Sequence, residues 1–216
     1  MLFGGMSVKV KICGITNVSD AVAATEAGAD VLGFVFCEQS PRCLSIDAAA
    51  EVVYELPPFM IKVGVFVNED ADLVHQAIQK CGLNLLQFHG EETPEYCRQF
   101  GLMSMKAFRV RDEASLDTLP LYDTHAWLLD AFAPGKLGGT GEKFNWDLAV
   151  QAGRLGRPIF LAGGLTPENV GEAVQKVRPY GVDVSSGVEA SPGRKDHAKV
   201  KAFIQAAKAS SVIKSE

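Results

Sequence analysis

The stretch VKVKICGI, residues 8–15, alternates apolar and polar side chains before it reaches a glycine. In a β-strand the two valines and Ile12 would share one face, and the two lysines and Cys13 would share the other. The aliphatic face suits a covering layer of helices. The polar face, with Lys11 and Cys13, is therefore expected to point away from the helices.

Seven further apolar segments follow along the chain, and amphipathic segments separate them. Several of the amphipathic segments begin on Ser, Asp or Thr and end near Gly, as helix caps require. The remaining predicted strands are ADVLGFVF (29–36), IKVGVFVN (61–68), NLLQFHG (84–90), MSMKAFRV (103–110), HAWLLDAF (125–132), RPIFLAGG (157–164) and GVDVSSGV (181–188).

Eight strand–helix units in 216 residues predict an α/β protein, a single-domain (β/α)₈ barrel that spans residues 1–216. The fifth helix, over residues 113–123, has the weakest pattern. An open, doubly wound sheet is the alternative. That fold would carry fewer strands and a GxGxxG turn after the first one, and the CGIT that follows the first strand is not such a turn.

The division into an apolar and a polar face recurs in two other predicted strands. Asp183 and Ser185 share a face in the eighth strand, and Gln87 and His89 share a face in the fourth. A packed barrel interior would not hold so many polar groups unless they line a site. They cluster toward the C-terminal strand ends, where barrel enzymes keep their chemistry.

Composition narrows the classes of function. The net charge is −5 with no long run of one sign, which disfavours a nucleic-acid partner, and no apolar run is long enough to cross a membrane. The start lacks a basic segment before an apolar core, so no signal peptide is expected, and Met6 is an alternative start. Five scattered cysteines without a CxxC pair predict reduced thiols in the cytoplasm, and four distant histidines give no support for a metal site.

Two glycine-rich turns, after the last two strands, are the strongest signal of a ligand. LAGGLTPENV (161–170) joins the seventh strand to a helix that Thr166 and Pro167 are expected to open, and DVSSGVEASPG (183–193) ends the eighth strand. Tight turns alone would explain one Gly-Gly pair, but barrels often bind phosphate in these two loops. The predicted phosphate ligands are Gly163, Gly164, Ser185, Ser186 and Gly187.

A third glycine-rich stretch, PGKLGGTGEKFNW (134–146), follows the sixth strand. It includes Gly139, Thr140 and Gly141. Such a loop can close over a substrate as a lid, or it can be a solvated linker, and composition does not separate the two.

Cys13 is the candidate for chemistry on the first strand. Most cysteines with apolar neighbours are small core residues, as we expect for Cys81 and Cys97. Cys13 instead shares its face with Lys11, and a nearby cation is expected to lower the pKa of a thiol toward neutrality. A nucleophile and a base both remain possible roles, although no Cys/His/Asn arrangement of the protease type is evident.

Three further residues could reach the same site. Asp130 ends the sixth strand and could be a general acid, a helix-capping carboxylate or the partner of a lysine. Arg42, in CEQSPRCLS (37–45), could hold a carboxylate or a phosphate, or could be an exposed loop arginine. His89, in QFHG, could reach the ligand or serve structure alone.

Seven motifs together resemble the phosphoribosylanthranilate isomerase family of tryptophan biosynthesis. They are KICGIT, SPR, QFHG, LLDA, GGTG, LAGGL and DVSSGVE. The resemblance extends from the first strand through the eighth in one order. The family usually has Leu where this chain has Phe88, a position that parity turns away from the barrel interior.

The resemblance implies a (β/α)₈ barrel that carries out an Amadori rearrangement of N-(5-phosphoribosyl)anthranilate without a metal or organic cofactor. It implies that Asp130 is the general acid and Cys13 the general base. It also implies that Arg42 holds the anthranilate carboxylate, that the two terminal turns bind phosphate, and that the segment 139–141 folds over it. Lys11 and Asp183 would lie within reach of the substrate in supporting roles, and His89 is predicted to lie at the substrate as well. The chain would be a monomer or a homodimer.

Two rival functions share some of these features. Another phosphate-binding barrel enzyme, such as a sugar-phosphate isomerase, an epimerase or a thiamine-phosphate-type synthase, would have the two turns without needing Cys13 and Asp130 together. A non-catalytic phosphate binder could lose the acid or the base, and both are present here.

Overall fold

The computed structural model describes residues 7–131 and 146–211, so the predicted lid residues Gly139, Thr140 and Gly141 lie outside the described part. Eight parallel strands pair in chain order and close into a barrel, which confirms the predicted fold over the open sheet. The strands are β1 (Lys9–Cys13), β2 (Val31–Val35), β3 (Ile61–Phe66), β4 (Leu85–Phe88), β5 (Met103–Val110), β6 (Ala126–Ala131), β7 (Ile159–Leu161) and β8 (Gly181–Val184).

Helices surround the barrel. In the described ranges they are α1 (Val18–Glu26), α2 (Ile46–Tyr54), α3 (Ala71–Cys81), α4 (Pro94–Arg98), α5 (Trp146–Ala152), α6 (Val170–Val177) and α7 (His197–Ser211). Ordinary caps begin several of them. The Asn17 side chain accepts from the Asp20 N–H, and the Ser45 side chain accepts from the Ala48 N–H.

Two details of the prediction were wrong. The fifth unit has no α-helix, because the Asp112–Ser115 capping box begins a single 3₁₀ turn (Glu113–Leu116) and Pro120 lies in a second one (Leu119–Leu121). The sixth helix, α6, begins at Val170 rather than at Thr166. The side chain of Asn169 accepts from the Thr166 N–H and donates to the Gly164 carbonyl, which holds the intervening residues in a turn.

A small antiparallel hairpin follows β8, formed by β9 (Glu189–Ser191) and β10 (Arg194–Lys195). Two hydrogen bonds tie it to the region after β1. The Thr16 hydroxyl donates to the Gly193 carbonyl, and the Lys195 N–H donates to the Asp20 carboxylate at the start of α1. The hairpin therefore lies over the β8–β1 side of the barrel.

Strand register places the polar faces as predicted. Lys11 pairs with Asp183 in the β1–β8 ladder, so the two side chains point to the same side of the sheet. On the opposite face Phe88 stacks with Phe100 and meets Tyr96 edge-on, so it lies in the helix layer, away from the interior. Within the described ranges, no helix is both long and apolar enough to span a membrane.

Candidate active site

Cys13 lies at the C-terminal end of β1, where it is 8% exposed and packs against valines of β2 and β3. Its neighbour on the same face, Lys11, is fully buried and donates from Nζ to Asp183 Oδ1 over 2.9 Å. Burial alone would lower the pKa of Lys11, but the Asp183 carboxylate and Cys13 raise it overall. The lysine is therefore a fixed cation beneath the thiol.

The pKa of Cys13 differs from the expectation. Burial raises it above the ordinary value, and the opposing effect of Lys11 is smaller. The negative charge of Asp183, which is paired with Lys11 close to the thiol, raises the pKa of Cys13 further. The resting side chain is thus a thiol at neutral pH, and the expected lowering toward neutrality was wrong.

Arg42 reaches the site from the loop after β2, and its side chain bonds with one carboxylate. Its Nε and Nη2 each donate to Glu189 over 2.7 Å. Glu189 also accepts from the buried Lys195 Nζ over 3.0 Å. Burial alone would raise the pKa of Glu189, but its hydrogen bonds to Arg42 and Lys195 hold it below the ordinary value.

Gly14 makes room for this arginine. A Cβ built on Gly14 would lie 2.5 Å from Arg42 Cδ and 3.0 Å from Ser185 Oγ, and its φ of +73° disfavours any other residue. The glycine of KICGIT thus lets the aliphatic stem of Arg42 lie directly over the end of β1, next to Cys13.

Asp130 lies at the end of β6, and its side chain is 31% exposed. Its Oδ2 is 3.4 Å from Nε2 of His89, whose side chain is 24% exposed. The other ring nitrogen of His89, Nδ1, lies 3.0 Å from Nε2 of Gln87 inside the barrel. The structure therefore brings His89 to the predicted acid, and it brings Asp130 to the barrel mouth as expected.

A buried ion pair braces the loop that carries His89. Lys106 donates to the Gly90 carbonyl over 2.6 Å and lies 3.3 Å from Glu92. Glu92 in turn accepts from the N–H groups of Gly90 and Asn68. These bonds fix the backbone on the C-terminal side of the histidine. Beside it lies a cavity of about 540 Å³ whose lining includes His89, Phe108 and Arg109.

The two predicted phosphate turns touch each other. A Cβ on Gly187 would lie only 2.0 Å from the Leu165 carbonyl oxygen, so only glycine permits this approach. Ser186 and Gly164 are exposed, and the Ser185 hydroxyl is buried without a hydrogen-bond partner in the described part of the chain. Within the described residues, the backbone N–H groups of Gly163 and Gly164 also have no acceptor. Unpaired donors of this kind suit an anion.

Sequence reasoning missed Glu189, Lys195, Lys106 and Glu92. Glu189 ends the DVSSGVE motif, but nothing near it in sequence indicates a partner 147 residues away. Lys195 lies in a short hairpin without a strand pattern, and Lys106 alternates onto the helix side of β5. Within residues 7–131 and 146–211, no cluster of three or more His, Cys, Asp or Glu side chains could hold a metal ion.

Solved structures resemble this barrel closely. The structure of phosphoribosyl anthranilate isomerase from Thermotoga maritima has a TM-score of 0.87 and 44% identity, over 94% of this chain and 99% of that one. A structure of the isomerase in complex with reduced 1-(o-carboxyphenylamino)-1-deoxyribulose 5-phosphate has a TM-score of 0.83 and 42% identity over the same shares. A thiamine phosphate pyrophosphorylase from Pyrococcus furiosus, at 13% identity and a TM-score of 0.67, shows the fold alone.

Sequence relatives agree. A protein of Geobacter sp. (strain M21) named N-(5'-phosphoribosyl)anthranilate isomerase is 58% identical over 200 residues, 93% of this chain and 98% of the relative. A protein of the same name from Pelobacter propionicus is 53% identical over 201 residues, 93% and 96% of the two chains. The sequence model described as N-(5'phosphoribosyl)anthranilate (PRA) isomerase matches residues 10–206. The chain therefore belongs to the N-(5'-phosphoribosyl)anthranilate isomerase family.

Proposed function

We propose that Asp130 and Cys13 carry out the isomerisation that defines this family, a step of tryptophan biosynthesis, as general acid and general base. The observation that carries this assignment is their placement at the C-terminal ends of β6 and β1, three strands apart around the barrel mouth. Proton-transfer groups on opposite sides of a substrate can serve two steps in turn. Neither group needs a metal partner for this chemistry.

The proposed reaction begins with ring opening. The carboxylic acid of Asp130 gives its proton to the ribose ring oxygen as the C1–O bond breaks, and the anilino nitrogen lone pair forms the C1=N bond of a protonated Schiff base. The ionised form of Cys13, a minor fraction at neutral pH because its pKa is raised, then removes the C2 proton. The C–H electrons form a C1=C2 bond while nitrogen recovers its lone pair. The resulting enolamine becomes the ketone when C1 takes up a proton and the C2 hydroxyl loses one, which gives 1-(2-carboxyphenylamino)-1-deoxyribulose 5-phosphate.

Charge supports the proposed orientation of the substrate. The substrate carries a phosphate at one end and an aromatic carboxylate at the other. The turns at Gly163–Gly164 and Ser185–Gly187 offer N–H donors for the phosphate, and Arg42 offers a guanidinium for the carboxylate. In the protein, Lys11 and Asp183 support the base, and His89 supports the acid.

Two broader points belong to the same proposal. All five cysteines are unpaired, which supports a reducing, cytoplasmic location. A solved relative at 42% identity is described as monomers generated from a dimeric isomerase, which supports a homodimer as one of the two expected states. Sedimentation of the purified chain separates the monomer from the homodimer.

Removing either proton-transfer group tests the proposal. We expect Cys13→Ala and Asp130→Ala each to lower kcat by roughly 10²–10⁴-fold. The affinity for the reduced product analogue should stay measurable, because neither residue supplies the main anion contacts. Turnover is followed as loss of phosphoribosylanthranilate generated in situ. If either variant has a kcat near that of the parent, the proposed role of the substituted residue is wrong.

A further inference from the structure

Arg42 is the proposed carboxylate ligand, yet one edge of its guanidinium is already used. Glu189 accepts from Nε and from Nη2, and its side chain is only 5% exposed. A guanidinium has five N–H donors in a planar fork, and Glu189 engages two of them. Three N–H donors remain, two on Nη1 and one on Nη2, and they form a second two-pronged edge.

Glu189 is itself held on several sides. Lys195 Nζ donates to its Oε1 over 3.0 Å, the Gly193 N–H donates to the same oxygen over 3.4 Å, and the side chain of Lys195 is fully buried. The hairpin β9–β10 therefore delivers the carboxylate and its supporting cation together. Arg42 comes from a loop, and its side chain is 21% exposed. The rigid partner in this pair is Glu189.

The stem of Arg42 is placed independently of Glu189. Its Cδ lies where a side chain of residue 14 would be, directly over the end of β1. The Glu189 carboxylate raises the pKa of the arginine through its hydrogen bonds and its charge. Two contacts thus fix the side chain, one beneath the stem and one along the Nε–Nη2 edge.

We propose that Glu189 is a positioning residue for substrate recognition, which holds Arg42 by its Nε–Nη2 edge so that the Nη1–Nη2 edge is presented to the aromatic carboxylate. This inference rests on the proposed function of Arg42. The pairing also sets selectivity, because Glu189 balances the charge of Lys195 and leaves one net positive charge for one carboxylate. An arginine free to rotate would lose the two-pronged geometry that makes such contacts strong.

The test compares Glu189→Gln with the parent and with Arg42→Met. The side-chain amide of the Glu189→Gln variant cannot accept from both nitrogens of the arginine, so we expect KM to rise roughly tenfold while kcat changes by less than about threefold. Arg42→Met should raise KM at least as much. Because both substitutions act on one contact, the double variant should raise KM no more than Arg42→Met alone does.

Comparing the affinities of two ligands separates positioning of Arg42 from a purely structural role of Glu189. The reduced product analogue is compared with its anilino counterpart, which lacks the ring carboxylate. Glu189→Gln should remove most of the affinity advantage of the carboxylate and leave the affinity for the anilino compound within about twofold. Asp30→Asn is the matched control, because Asp30 also accepts from lysines but lies at the opposite end of β1.

The outcomes separate the two proposals. If the parent does not convert phosphoribosylanthranilate, the proposed function fails before any variant is considered. If Arg42→Met leaves the carboxylate advantage unchanged, the assignment of Arg42 fails and the role of Glu189 fails with it. If Arg42→Met removes that advantage while Glu189→Gln keeps it or increases it, the positioning role alone is overturned.

Should Glu189→Gln not fold, Arg42→Lys tests the same idea on a surface loop. A lysine keeps the charge but has a single nitrogen, which Glu189 would retain. The proposal therefore requires Arg42→Lys to raise KM nearly as much as Arg42→Met. A parent-like KM in Arg42→Lys would show that charge is sufficient, and the two-edge arrangement would be wrong.

Discussion

The proposed base and the proposed acid of this site are held in opposite ways. On the β8–β1–β2 side Cys13 is buried over the Lys11–Asp183 pair, and a second set of ion pairs joins Arg42, Glu189 and Lys195. On the β4–β6 side the Asp130 side chain is 31% exposed and meets His89 at 3.4 Å. The fold therefore buries Cys13 among fixed charges, whereas it leaves Asp130 partly exposed at the barrel mouth.

Breaking one contact on each side gives the largest expected difference. Lys11→Met leaves Asp183 buried without its cation, so we expect the free energy of unfolding to fall by about 3–5 kcal/mol. His89→Asn breaks a partly exposed contact and should cost less than about 1 kcal/mol. Urea unfolding at pH 7 measures both. Equal losses would contradict the division of the site into a rigid and an open side.

Gly14→Ala tests how tightly the base side is packed. The new Cβ would meet Arg42 Cδ at 2.5 Å, and the φ of +73° adds backbone strain. The matched control is Gly82→Ala, which has a φ of +56° but open space around its Cβ. We expect the control to lose about 1 kcal/mol and Gly14→Ala to lose about 1–2 kcal/mol more, together with a higher KM. Identical losses would mean that Arg42 moves aside freely.

The raised pKa of Cys13 predicts the smallest effect, a pH dependence. Below that pKa the thiolate fraction grows tenfold per pH unit, so the rate of Cys13 alkylation by iodoacetamide should still be rising at pH 8. Asp183→Asn removes a negative charge that raises this pKa, so the curve should shift to lower pH. Alkylation is followed by mass spectrometry of the Cys13 peptide. A rate already constant at pH 7 would show a lowered pKa.

Alternating side chains predicted the strand faces, because neighbouring residues in a strand point to opposite sides whatever the rest of the fold does. That rule placed Lys11, Cys13 and Asp183 on the interior face. It could not place Glu189 against Arg42, because their contact depends on how a hairpin folds back over β1. It also could not show that burial outweighs Lys11 at Cys13, since desolvation depends on the packing of β2 and β3.

The contact between Gly187 and the Leu165 carbonyl limits how this barrel can be rebuilt. The backbones of the turns after β7 and β8 are in direct contact at that point, so neither turn can be exchanged without the other. A chimaera that takes one turn from another phosphate-binding barrel would meet a side chain or a shifted carbonyl at residue 187. In grafting, circular permutation or recombination, residues 162–188 should therefore be kept together as one unit.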